Sequence, residues 1–440
     1  MPAPHSETDT NASTDTDAYV SDFARFIGAA PSSYHAAEEV ARRLEEAGFE
    51  RLDERDDWPA GTGRRVVVRD GAVIAWVQPE GATATTPFRI VGAHTDSPSF
   101  KLKPNPTSEG AGLLRAGVEV YGGPLLNSWL DRELEVAGRV VTRDGVEHLV
   151  RSGPMLRIPQ LAIHLDRGVN DGLKLDKQLH TQPIWGAAAD APGAELLARG
   201  FAESGVAVDD IAGWDLLLAD TQPPARFGLD EVFFAAGRMD NLSSVYAGLV
   251  ALLEASAAGS DAAPHLSVLA AFDHEELGSE SRSGASGPFL EDVLARVSAG
   301  LGADPTERRR AFADSWLLSS DAGHAVHPNY PERHDPANRP VLGGGPLLKL
   351  NANQRYASDA VGAALWARVC EQAGVPTQPF VSNNAIPCGS TIGPLSATRL
   401  GIRTVDVGVP LLSMHSAREL AHVDDLAALG AAATAFFAPA

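Results

Sequence analysis

Two adjacent glutamates, Glu275 and Glu276, follow the apolar run Leu266-Ser-Val-Leu-Ala-Ala-Phe272. The run reads as a buried strand, so both carboxylates are delivered at a strand's carboxyl end. One can hold a metal ion while the other moves protons. Adjacent side chains diverge in extended backbone, which separates the two roles: Glu276 is read as a ligand and Glu275 as a base. Partners with suitable chemistry stand at similar places. His94 ends the strand-like Phe88–His94, Asp321 ends Trp316-Leu-Leu-Ser-Ser-Asp321, His415 follows the strand-like run Thr404–Gly408, and Asp240 stands where a helix cap belongs.

Divalent ions about 3.5 to 4 Å apart need a bridging ligand, a role that suits a short carboxylate. His94 and Asp321 are therefore assigned to one ion, Glu276 and His415 to a second, with Asp240 shared. Three carboxylates against two divalent ions leave net positive charge, which favours a bound hydroxide and a polarised carbonyl. Glu275 then takes a proton from the metal-bound water and returns it to a departing amine. Asp96, two residues beyond His94, is placed to accept the imidazole's second N–H. Each residue also has a plainer reading: Asp240 as a cap, the histidines as ordinary hydrogen-bonders, the Glu pair as a helix-dipole partner. The usual zinc helix is absent, since His274-Glu-Glu-Leu-Gly278 has no second histidine one turn later.

These residues need a scaffold that brings distant segments to one edge. Apolar strand-like runs alternate with helical patterns, which predicts an α/β fold with an open, mostly parallel sheet flanked by helices, where ligands collect beyond strand ends. From Pro98 to Ala235 the texture changes to short β-like runs broken by Gly and Pro, so an inserted, mostly β domain is expected at 98–235. It interrupts a catalytic domain formed by 1–97 and 236–440. The polar leader, 1–16, is expected to be disordered or laid loosely on the surface.

Composition bounds the partners. With 36 Lys plus Arg against 57 Asp plus Glu, the net charge of −21 argues against nucleic-acid and anionic-membrane partners. No run of about 18 apolar residues is present to span a membrane. The start of the chain lacks the basic and apolar regions of a signal peptide, and the only cysteines, Cys370 and Cys388, form no framework. A cytoplasmic location is expected.

Several longer motifs carry a resemblance. Val91-Gly-Ala-His-Thr-Asp-Ser-Pro98, Arg238-Met-Asp-Asn-Leu242, Asp273-His-Glu-Glu-Leu-Gly-Ser279, the stretch Ser320–Tyr330, Lys349-Leu-Asn-Ala-Asn-Gln-Arg-Tyr356 and Ser413-Met-His-Ser-Ala-Arg-Glu419 resemble the signatures of the aspartyl aminopeptidase family of metallopeptidases. The resemblance implies a two-zinc aminopeptidase that removes amino-terminal residues, acidic ones first, from peptides. Cobalt or manganese are alternatives to zinc. It implies the same ligand set, with Glu275 as base and Asp96 supporting His94. The insert then corresponds to a dimerisation domain, and the assembly to a tetrahedral dodecamer. His164, by itself a strand histidine with satisfied hydrogen bonds, would reach a neighbouring subunit's site and stabilise an oxyanion. Lys349 would pair with an acidic substrate side chain. His324, His327 and His334 are read as structural. Two alternatives stay open from the residues: another two-metal amidohydrolase, such as a deacetylase or carboxypeptidase, or a catalytically silent assembly protein on the same scaffold.

Overall fold

The computed structural model describes residues 7–257 and 263–438. Its larger sheet has nine strands: β1 (Glu50–Arg51), β2 (Gly63–Arg69), β3 (Ala72–Gln78), β4 (Phe88–His94), β5 (Leu266–Phe272), β6 (Trp316–Ser320), β7 (Leu347–Leu350), β8 (Gln378–Val381) and β9 (Arg403–Gly408). Across the sheet they lie in the order β1, β2, β3, β5, β4, β6, β9, β7, β8. The four central strands β5, β4, β6 and β9 run parallel, and their in-register ends place Phe272 beside His94. The sheet is mostly parallel, as five of its eight neighbouring pairs are, and the antiparallel pairs lie toward the flanks. The Asp70-Gly71 turn forces β2 and β3 to be antiparallel, β3 meets β5 antiparallel, and β7 runs against β9.

Helices cover both faces. One face carries α1 (Glu7–Ala29), α2 (Ser33–Glu46), α3 (Met239–Ala257), α6 (Ala360–Ala373) and α8 (Val423–Phe437); the other carries α4 (Phe289–Gly300), α5 (Pro305–Asp314) and α7 (Ile392–Leu400). The period of two along β4 sorts its side chains between these layers. Val91 and Ala93 join Phe23, Leu249 and Phe436, whereas Phe88 and Ile90 join Phe289, Phe312 and Ile392. Buried on both sides, β5 and β4 read as largely apolar runs, whereas β6 ends in two serines and β9 carries the buried Asp406.

The polar leader is a correction. Residues 1–6 lie outside the described residues, but α1 already begins at Glu7. Val20, Phe23, Phe26 and Ile27 are buried and nucleate this helix, after which each further residue adds a bond at low entropic cost. Two further helices carry start signals that the periodicity alone did not reveal: Asp304 and Glu307 form a capping box on α5, and Thr391 caps α7.

The inserted segment builds a six-stranded, wholly antiparallel sheet in the order Glu147–Arg151, Leu134–Thr142, Ile211–Asp220, Ser99–Gly110, Leu113–Tyr121, Ile184–Ala187. Its core of Phe100, Val118, Trp129, Val136 and Leu216 is separate from the two layers above. Pro104 and Pro106 fall inside Ser99–Gly110, where the register shifts between Leu102 and Thr107, so the strand survives its prolines through a bulge. Arg139 ties the insert to the larger sheet, reaching Asp70 at 3.0 Å and lying 4.6 Å from the Tyr34 ring centroid.

His265, just before β5, is 3% exposed, with Nε2 3.1 Å from the Phe437 carbonyl. Burial, aided by the nearby Arg89 charge, pulls its pKa from 6.5 down to about 4. The unfolded chain therefore binds this proton first as pH falls, and stability present above pH 6.5 is lost towards pH 4, by on the order of 3 kcal/mol. In metal-free protein, the wild-type melting temperature is expected to fall more steeply across that window than that of His265→Gln; parallel thermal-melt curves would contradict this origin of acid sensitivity.

Candidate metal centre

Parallel strands carry the donors to one edge. His94 is the last residue of β4, and Asp321 directly follows β6, its N–H donating to the Val407 carbonyl at 3.0 Å. After β5 the chain turns sharply: His274 and Gly278, both left-handed, bracket a short 3₁₀ turn that holds Glu275 and Glu276. His415 is also left-handed, at φ 64°. Asp240 corrects the cap reading, because its carboxylate accepts no N–H of α3: Oδ2 faces His415 and the buried Oδ1 makes no hydrogen bond.

Asp240 lies between two imidazoles. His94 Nε2 is 3.3 Å from its Oδ1, and His415 Nε2 is 3.4 Å from its Oδ2. Asp321 Oδ1 stands 3.8 Å from His94 Nε2, and Glu276 Oε1 stands 3.5 Å from His415 Nε2. Donor atoms of His94, Asp240 and Asp321 lie within 4.8 Å of one another, as do those of Asp240, Glu276 and His415. Glu275 Oε2 stands back, 4.0 Å from His94 Nε2. The five residues assigned as ligands from the sequence are thus brought together, with Glu275 beside them.

The hydrogen bonds behind this layer differ from expectation at Asp96. The group within hydrogen-bond reach of His94 Nδ1 is the backbone carbonyl of Asp96, at 3.0 Å, while the carboxylate Oδ1 is 3.4 Å away. That carboxylate instead accepts the N–H groups of Glu275 at 3.0 Å and Glu276 at 3.2 Å, and the Tyr121 hydroxyl at 2.9 Å. Asp96 thereby fixes the acidic turn as well as neighbouring the ligand. His415 Nδ1 donates to the Gly123 carbonyl at 3.0 Å, which leaves Nε2 free to ligate. Gly122, at φ 67°, comes so close that a Cβ there would lie 3.1 Å from the Glu276 Cβ.

Tyr121, Gly122 and Gly123 belong to the inserted segment, and the sequence reading passed over them. The pair of glycines directly after a strand was the available signal. Gly408 is a second tight approach, since a Cβ would fall 1.6 Å from the Asp321 carbonyl oxygen. Glu419 was quoted in a motif without a role; buried at 2% exposure, it accepts the N–H groups of both Asp240 and His415.

Charge is badly balanced among these protein groups alone. Burial, reinforced by Asp321, Asp96 and Asp240, raises Glu275 to about 8 against the pull of His94. Burial and Asp240 likewise raise Glu276. Burial works against protonating His415, yet the Asp240 and Glu276 carboxylates raise it to about 10, and His94 is raised for the same kind of reason. Protons on the imidazoles stand where positive charge is wanted. The orphaned Asp240 oxygen and a compact set of imidazole nitrogens and carboxylate oxygens fit divalent ions of the zinc type.

The remaining candidates lie differently. Lys349 is 2% exposed; its Nζ donates to the Ala322 carbonyl at 2.6 Å, 3.8 Å from Asp321 Oδ1 and 5.4 Å from the Tyr356 ring centroid. His164 corrects the strand reading, because it sits exposed in a turn closed by the bond from Leu165 N–H to the Ala162 carbonyl. The imidazoles of His327 and His334 accept loop N–H groups, from Asn329 and His327. His324 lines a cavity with Arg333, Tyr356 and Asn383. Among the described residues no helix is long and apolar enough to cross a membrane.

Comparison with known proteins agrees with this geometry. Residues 26–437 match the family described as aminopeptidase I zinc metalloprotease (M18). A probable M18 family aminopeptidase 2 from Streptomyces coelicolor is 53% identical over 423 residues, covering 96% of this chain and 98% of that protein. Its counterpart from Streptomyces avermitilis is 55% identical over 409 residues, covering 92% and 94%. Among solved structures, Ape4 in its complex with Nbr1 superposes with a TM-score of 0.92 at 34% identity, covering 98% of this chain and 87% of that one. The mApe1 dodecamer of S. cerevisiae superposes at 0.84 and 30% identity, covering 96% of each chain. With the signature matched over almost its whole length and relatives above half identity, this chain belongs to the M18 family of zinc aminopeptidases, metal-dependent hydrolases of peptide bonds.

Proposed function

We propose that the chain is a two-zinc aminopeptidase that releases acidic amino-terminal residues from peptides, with cobalt or manganese able to replace zinc. The observation that carries this reading is the Asp240 carboxylate set between the His94 and His415 imidazoles, one oxygen to each. His94 and Asp321 would hold one ion, Glu276 and His415 the other, with Asp240 shared. Divalent ions held there would supply Lewis acidity, lowering the pKa of a water and polarising a carbonyl. Glu275, held by Asp96 through its backbone and set back from the His94 imidazole, takes the nucleophile's proton and passes it to the departing amine.

Lys349 is assigned to the substrate's acidic side chain. Its ammonium is buried next to the ligands, yet 3.8 Å from Asp321, too long for a direct hydrogen bond, so positive potential remains for a second carboxylate. The assembly is proposed to be a homo-oligomer, a tetrahedral dodecamer of dimers joined through the inserted domain, as one relative is a dodecamer. Exposed Leu161, Ile163 and Leu165 support this, because they flank His164 along the chain with apolar side chains suited to a second copy. His164 would then serve as oxyanion donor in the neighbouring site. Unpaired Cys370 and Cys388 suit the reducing cytoplasm, the proposed compartment.

Hydrolysis of an aminoacyl-anilide series should favour Asp and Glu and stop with chelator. Glu275→Gln is expected to lose at least about 100-fold in kcat with zinc content intact; unchanged turnover would remove its role as base. Lys349→Met should lose acidic substrates about 10-fold or more beyond neutral ones, whereas equal loss on both would reassign Lys349 to supporting Asp321. Dissociated, zinc-loaded protomers should be nearly inactive, and full turnover from them would remove His164 from a neighbour's site.

A further inference from the structure

Glu419 begins the strand Glu419–His422, which pairs antiparallel with Phe233–Ala236 and sets Glu419 opposite Ala236. From Ala236 the chain turns through Gly237 and the left-handed Arg238 to Asp240. This route aims the Asp240 N–H back at Glu419. One carboxylate oxygen, Oε2, accepts it at 3.0 Å, while Oε1 accepts the His415 N–H at 2.9 Å. A single buried side chain thus spans the backbones of the proposed bridging ligand and of one terminal ligand.

The other supports of these two residues come from elsewhere. Ser97 Oγ donates to the Asp240 carbonyl at 2.6 Å, and the Gly123 carbonyl fixes the far side of the His415 ring. Neither sets the distance between Asp240 and His415. The His94 and Asp321 side of the site has its own anchors, the Asp96 carbonyl on the imidazole and the Val407 carbonyl on the Asp321 N–H.

We infer that Glu419 is a positioning residue: by gripping both N–H groups it sets the separation of Asp240 from His415, and so the affinity of the ion shared by Asp240, Glu276 and His415. The inference rests on the two-ion reading. It makes the two ions unequal in their dependence on Glu419: Asp240 would serve both, but only one ion would also depend on His415, whose N–H Glu419 holds as well, while the His94 and Asp321 backbones make no hydrogen bond to it among the described residues. Glu419→Gln is nearly isosteric, but its amide offers one acceptor and presents an NH₂ to the other N–H, so one grip becomes repulsive.

Zinc binding by the full chain, read by competition with a chelating dye, tests this. Wild type should bind two ions, and Glu419→Gln should bind one of them about 10- to 100-fold more weakly and the other with a clearly smaller loss. Two unchanged constants, or two equally weakened ones, would overturn the inference while leaving the two-ion reading intact. A wild-type chain that holds a single ion would overturn both. If Glu419→Gln does not fold, Glu419→Asp gives the same decision: it keeps the charge but is one methylene too short to reach both N–H groups. It should show the same unequal loss, and its absence would refute the role.

Discussion

Burying negative charge is the constraint on which the site depends. Asp96, Asp240, Asp321 and Glu419 are all buried at one sheet edge, and the side chains of Glu275 and Glu276 are 17% and 5% exposed beside them. An ionised carboxylate out of water is tolerated only with hydrogen bonds or opposite charge. Two of these groups are satisfied by backbone N–H donors, Asp96 by the acidic turn and Glu419 by the two ligand segments. The others face His94, His415 and Lys349, and the Asp240 oxygen nearest His94 makes no hydrogen bond to it. The protein's own dipoles are committed to orientation, which leaves neutralisation to metal ions.

That division explains why the sheet is built as it is. Parallel neighbours with aligned ends deliver His94, the Glu275–Glu276 turn and Asp321 to one edge without long connecting loops. The packed layers on either side hold those ends still. The precision shows in the glycines: Gly408 passes the Asp321 carbonyl and Gly248 passes Val91 and Leu269, each with no room for a side chain.

Much of the site was legible because buried parallel strands are largely apolar, so a histidine or carboxylate at the end of such a run stands out. His94, Glu275, Glu276 and Asp321 were found in that way. Asp240 falls between two imidazoles but caps no helix N–H, since a carboxylate at a helix start carries the same sequence signal whether it caps or points away. Glu419, Tyr121 and Gly123 were not legible as partners. Their roles come from tertiary contacts, of which Glu419 to Asp240 and Gly123 to His415 join segments more than a hundred residues apart, and no local pattern marks such a hydrogen bond. The direction of β7 escaped for a related reason: periodicity marks a strand without giving its direction. Ser99–Gly110 was hidden by prolines that a bulge accommodates, and the first turns of α1 by a polar composition that neighbouring burial overrides.

The segment Tyr121-Gly-Gly123 has a consequence for how this architecture can change over time. An inserted domain is ordinarily free to drift, because few contacts cross its boundary. Here it supplies a hydroxyl to Asp96, a carbonyl to His415 and empty space to Glu276. Replacement of the insert, by recombination or by gradual substitution, is therefore confined to variants that reproduce these three offerings in register with the peptidase half, so the two parts of the chain must evolve as one inherited unit.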